Sequence, residues 1–163
     1  MCLFDEAKTS QELERILGSL SLLNPQDGIR PSRLSAEQLI DAVNQQNGFI
    51  FAAHCTNDNG LLKVGQMNHV WQHKGLLAAQ IPGSVEDLKG VQDDFYRKVF
   101  LNKNTDYRRE REMATINAAD VANPEDIKSD GASCLIKMTK PCFTSFKQAF
   151  LDAGSRVRLN SDK

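Results

Sequence analysis

The feature that most constrains this chain is a set of short apolar runs, each separated from the next by helical spacing. FIFAA, residues 49–53, shows no alternation, so it reads as a strand buried on both faces, as in a parallel sheet. LLAAQI, residues 76–81, reads as a second buried strand, stopped by Pro82 and Gly83. MATINAAD, residues 113–120, is a small-residue strand ending in an acid, and SCLIKM, residues 133–138, is the last strand candidate.

Helix signals fill the intervals. Thr9 with Glu12 forms a capping-box pattern before Leu13, Ile16, Leu17 and Leu20, and Ser35 with Gln38 repeats it before Leu39, Ile40 and Val43. Ser84 opens a predicted helix carrying Leu88, Val91, Phe95 and Val99 at helical spacing. Asn123–Pro124 marks a short helix start, and TSFKQAFLDAG predicts a closing helix with Phe146, Ala149 and Phe150 inward. Strands alternating with helices imply an α/β fold with parallel strands, whose active site lies at the carboxyl ends of the strands.

At 163 residues, 40% hydrophobic and 25% charged, the chain fits one domain with a sizeable core, which we bound at residues 1–155. Residues 156–163, RVRLNSDK, read as a polar tail or severed linker. A net charge of −1 gives no overall case for nucleic acid or an anionic membrane, although local patches remain open. No window reaches the roughly 20 apolar residues of a membrane span, and MCLFDEAK lacks the pattern of an export signal. Cys2, Cys55, Cys134 and Cys142 are scattered, as expected for reduced thiols, so the expected location is cytoplasmic.

A polar residue directly after a buried strand is held on a rigid element at the reactive rim. His54 and Asp120 are therefore the leading site candidates, with Asp58 and Asn117 as further rim candidates. The plainer alternatives are a histidine that satisfies a loop carbonyl and an acid that joins a helix start. His69 and His73 in NHVWQH have metal-ligand spacing on a helix, but Val70 stands where a zincin needs glutamate, which favours a packing role around Trp71. Cys55 and Cys142 lack an assigned base for nucleophilic work. CTNDNG, residues 55–60, reads as a turn. In YRRERE, Arg108, Arg109 and Arg111 can contact phosphate, against the alternative of a solvated loop. There is no GxxxxGK[ST] and no GxGxxG, so no nucleotide site is expected.

The series LSAEQLIDAVNQQNGFIFAAHC, GLL, LLAAQI, INAADVANPEDI, CLIKM and FTSFKQAFLDAGSRVRL resembles the PHP (polymerase and histidinol phosphatase) superfamily. More narrowly it is similar to the branch in which a PHP domain precedes an AAA-type, SMC-like ATPase. The resemblance implies a distorted seven-stranded β/α barrel whose histidines and acids bind Zn, Mn or Mg to hydrolyse phosphate esters. It aligns His54 with a late histidine ligand and Asp120 with the acid of a final aspartate-x-histidine motif, whose histidine is here Ala122. The early histidine-rich motif has no counterpart, which implies the second half of a PHP-like barrel.

Two functional expectations follow. One is an incomplete or degenerate domain, non-catalytic alone, acting as a scaffold or interaction module. The other is part of a metal-dependent phosphoesterase or nuclease whose remaining ligands lie in another segment or chain. The implied partners are an ATPase domain, the other half of the PHP domain or a second copy of the chain, with nucleic acid reached only indirectly and no membrane.

Overall fold

The computed structural model describes residues 1–22, 31–117 and 122–160. Four strands, β1 (Cys2–Leu3), β2 (Phe49–Ala52), β3 (Ala78–Gln80) and β4 (Ala114–Ile116), form one sheet in that order. β2, β3 and β4 are parallel, as expected for unalternating apolar runs, with Phe51 beside Ala78 and Ala78 beside Ala114.

β1 departs from the all-parallel expectation and runs antiparallel to β2. The Met1 amine donates to the Phe51 carbonyl at 2.9 Å and the Phe51 amide donates to the Met1 carbonyl at 3.0 Å. Such a two-way exchange between one pair of residues is possible only in an antiparallel ladder. The described sheet is open, with β1 at one edge and β4 at the other.

The two faces of the sheet are covered by different parts of the chain. Helix α1 (Ser10–Ser19) opens with the Thr9–Glu12 capping box and α2 (Ala36–Gln45) with the Ser35–Gln38 box, both reciprocal as the sequence predicts. Their apolar stripes, Ile16 and Leu20 on one side and Ile40 and Val43 on the other, join Ile50, Ala79 and Ile81 from the sheet. The same core takes Val70 and Trp71 from α3 (Asn68–Trp71) and Tyr96, Val99 and Phe100 from α4 (Phe95–Phe100). The links from β2 to β3 and from β3 to β4 thus lie on one face.

On the other face Phe49, Phe51, Ala78, Ala114 and Ile116 meet α5 (Phe143–Leu151) through Phe143 and Phe150, with Phe146 packed alongside. The Phe49 and Phe150 rings lie 4.6 Å apart, and Phe49 meets Phe146 edge-on at 5.0 Å. Lys147 ties this helix down by donating to the Asn47 carbonyl and side chain at 3.0 and 2.8 Å. The short helix α6 (Ala153–Arg156) follows.

Two further expectations need correction. The helix predicted from Ser84 to Val99 breaks into a 3-10 turn at Glu86–Leu88 and α4. Gln92, Asp93 and Asp94 all take left-handed backbone between them, a conformation that aspartate tolerates better than most residues. Asp94 also accepts from the Gly90 amide at 2.6 Å, which fixes the loop in place of the helix. The second correction concerns the presumed tail from residue 156. It contains β6 (Val157–Leu159), antiparallel to β5 (Cys134–Ile136) in a separate two-stranded sheet rather than the parallel one. Val157 and Leu159 alternate with Arg158, a period-two pattern with the apolar side turned in.

No described helix is long and apolar enough to cross a membrane.

Candidate functional site

The carboxyl ends of β2, β3 and β4 bring His54, Gln80 and Asn117 to one rim of the sheet. His54 is exposed and holds a left-handed backbone, with φ of 46°. That conformation is uncommon outside glycine, although histidine adopts it more readily than most residues, and the following loop fixes it. The Cys55 amide donates to the Gln80 carbonyl at 3.1 Å, Asn57 donates to His54 at 3.0 Å, and Leu62 donates back to Cys55 at 2.9 Å. Gly60 lies so close to this knot that a side chain there would overlap the His54 and Cys55 backbone. CTNDNG is therefore a tight turn, as its composition predicts, and it leaves Asp58 exposed.

Gln80 is buried, and its Nε2 lies 3.5 Å from His54 Nδ1. Asn117 is 3% exposed, and its Nδ2 donates to the Ile81 carbonyl at 2.9 Å and the Gly83 carbonyl at 2.7 Å. The Asn117 amide group thus clamps the turn that leaves β3. Its Oδ1 is buried without a hydrogen-bond partner among the described residues, as is the Tyr96 hydroxyl. Burial pushes the Tyr96 phenol above its usual range, and Cys55 and Asp58 push it further in the same direction.

Asp120, the residue expected to face His54, lies outside the described residues. Ala122 is exposed, and its amide is bound by Asp126 at 2.9 Å, as is that of Asn123 at 2.8 Å. The expected Asn123–Pro124 helix start is a 3-10 turn, Pro124–Lys128, closed by this carboxylate.

The remaining sequence candidates lie elsewhere. His69 and His73 face α2, with His69 Nε2 3.9 Å from Glu37 and His73 Nε2 3.3 Å from Asp41. The packing role is visible in Trp71 between them, which is fully buried and meets Phe100 edge-on at 5.3 Å. Cys55 is buried, its thiol donates to the Gln80 carbonyl at 3.0 Å, and burial pushes its pKa up to about 12. A thiol so held is inert. The Ser145 hydroxyl and amide hold the Cys142 thiol below its usual range.

Arg108 and Arg109 sit at the amino side of β3, away from His54. Arg108 is exposed. The Arg109 guanidinium folds inward and donates to the carbonyls of His73 at 3.2 Å, Leu76 at 2.7 Å and Arg111 at 3.1 Å. Burial lowers its pKa to about 10. Arg109 therefore acts as a backbone staple in this conformation.

Sequence reasoning passed over Gln80 and Tyr96. Gln80 carried a signal, a single polar residue inside an otherwise apolar strand, whereas Tyr96 sits in a helical stripe like any core residue. Among the described residues, the three strand ends offer one imidazole and two carboxamides, which can order a loop and bind a polar group. Among the described residues, no three histidines, cysteines or acids gather as a metal-ligand set. Compared with known proteins, the chain matches no family model, no curated protein and no solved structure.

Proposed function

We propose that the chain is a PHP-like α/β domain, incomplete or degenerate at its rim, that serves as a scaffold or interaction module of an ATPase-associated protein and is non-catalytic alone. The observation that carries this reading is chemical. Two of the three parallel strands end in carboxamides, and the Asn117 amide is committed to the Ile81 and Gly83 carbonyls. Carboxamides are neutral and bind hard or borderline cations weakly, whereas a catalytic metal needs about three good protein ligands and an open position. The described donor set does not fit such a centre.

The partial-barrel reading draws support from the sequential order of β2, β3 and β4 with both links on one face, which is how β/α barrels are wound. The antiparallel β1 and the packing of α5 against the other face are departures that suit a degenerate domain. Partners of the resembling branch, an ATPase domain or the remaining PHP half, would dock on a cytoplasmic protein of this kind.

The alternative, a metal-dependent phosphoesterase completed by another segment or chain, is favoured by one observation: His54 stands exposed at the rim in a constrained left-handed conformation. The test is hydrolysis of a generic phosphodiester and a phosphomonoester with Mn, Zn or Mg. The isolated chain is expected to match the metal-only control. Robust hydrolysis that His54→Ala abolishes would overturn the scaffold reading.

A further inference from the structure

A cleft of about 820 Å³ lies away from the His54 rim. It runs between the free edge of β4, at Met113, Ala114 and Thr115, and the β5–β6 hairpin with the α6 segment that leads into it. Its volume falls in the range of small-molecule sites, but its lining is cationic and lacks any aromatic side chain.

The pairing register explains the charge. Cys134, Ile136, Val157 and Leu159 alternate into the core, which turns Leu135, Lys137 and Arg158 to the opposite face. Leu135 pairs with Arg158, and the Lys137 amide donates to the Arg156 carbonyl at 2.7 Å, so Lys137 stands across from Arg156. Like charges directly opposite in a hairpin oppose folding. Arg111 adds a fourth cation from the other wall, with its carbonyl fixed by the Arg109 guanidinium.

Against Lys137, Arg156 and Arg111 the described lining supplies two carboxylates, Glu112 and Asp152. Asp152 is already engaged, 3.7 Å from Arg156 and hydrogen-bonded to the Ser155 hydroxyl. Neither the Arg111 guanidinium nor the Lys137 ammonium has a side-chain partner among the described residues.

We propose that this cleft binds a linear oligophosphate, a chain of two or more phosphates, with Lys137, Arg156 and Arg111 as its main contacts. A chain of phosphates can neutralise the opposed cations in one contact. The absence of aromatic side chains argues against a single-stranded nucleic acid, which such sites ordinarily hold by base stacking. The proposal is independent of the chemistry of the His54 rim.

Calorimetric titration of the full chain with inorganic tripolyphosphate at about 50 mM salt, where screening is weak, tests it. Saturable one-site binding is expected, weakened about tenfold or more by Lys137→Glu and by Arg111→Glu, and unchanged by Lys63→Glu on the distant 55–64 loop. Adenosine triphosphate distinguishes the source. Equal affinity assigns a free oligophosphate, and tighter binding assigns a nucleotide. The neutral variants Lys137→Gln and Arg111→Gln, checked by Trp71 fluorescence, guard against misfolding. No heat up to about 1 mM tripolyphosphate, binding that all four cleft variants leave intact, or binding of a short DNA duplex without tripolyphosphate binding would each overturn the proposal.

Discussion

Replacing Asn117 separates a clamp from a ligand-binding residue. In Asn117→Leu the side-chain shape is nearly kept, but the bonds to the Ile81 and Gly83 carbonyls at 2.9 and 2.7 Å are lost. Two neutral hydrogen bonds contribute about 1 kcal/mol each, and an orphaned buried carbonyl costs about 1–3 kcal/mol more. Removing Oδ1, which has no partner among the described residues, relieves a desolvation cost of similar size, about 1–3 kcal/mol. The two desolvation terms cancel and the net loss is the two hydrogen bonds, about 2 kcal/mol, or a fall in Tm of about 4–8 °C for a chain of this length.

Asn117→Asp is the sharper variant because it sets carboxylate oxygens against the same two carbonyls. A buried, unpaired carboxylate has a folded-state pKa raised above the unfolded value near 4, so the folded state holds its proton longer. Stability of this variant then falls as pH rises from about 4 through the raised folded pKa, and its deficit against wild type is larger at pH 8 than at pH 5. Urea unfolding followed by the single, fully buried Trp71 reads both variants. An Asn117→Leu protein as stable as wild type, or an Asn117→Asp deficit independent of pH, would refute the clamp and free Asn117 for a ligand.

Two further outcomes follow from the packing. A thiol-reactive disulfide reagent at pH 8 should modify Cys142 first, Cys2 and Cys134 more slowly because burial raises both, and Cys55 only on unfolding; mass spectrometry showing early Cys55 modification would contradict the packing described. Gly60→Ala should lower stability by about 1–3 kcal/mol, since the added carbon overlaps His54 and Cys55 backbone atoms that cannot yield as a side-chain tip would; an unchanged urea midpoint would show that the loop is looser than described.

The strands most legible in the sequence were those buried on both faces, because FIFAA has no polar residue and LLAAQI only Gln80, so neither shows a polar side to confuse the period. Both capping boxes were legible for a local reason: each joins residues three apart and needs nothing from the rest of the chain. The Ser84 helix failed because helical apolar spacing says nothing about three consecutive left-handed residues, which Gly90 and Asp94 stabilise locally. β6 was hidden in a charged segment, where Val157 and Leu159 were outweighed by their neighbours. At the site, His54 was visible because it follows a strand directly. The Asn117 clamp was not, because it depends on where the β3 exit turn lies in space.

The phenylalanine-rich face of the sheet also dictates an order of events during synthesis. Lys147 reaches back a hundred positions to Asn47, and Phe150 closes on Phe49. The opposite face can be covered by α1 to α4 as those segments emerge, but this one must wait for α5. A nascent chain ending before residue 143 therefore presents Phe49, Phe51 and Ile116 uncovered, a surface suited to chaperone capture or aggregation. Premature termination between β4 and α5 thus turns a folding sheet into a sticky one, while a break within α1 or α2 leaves no formed sheet to aggregate through.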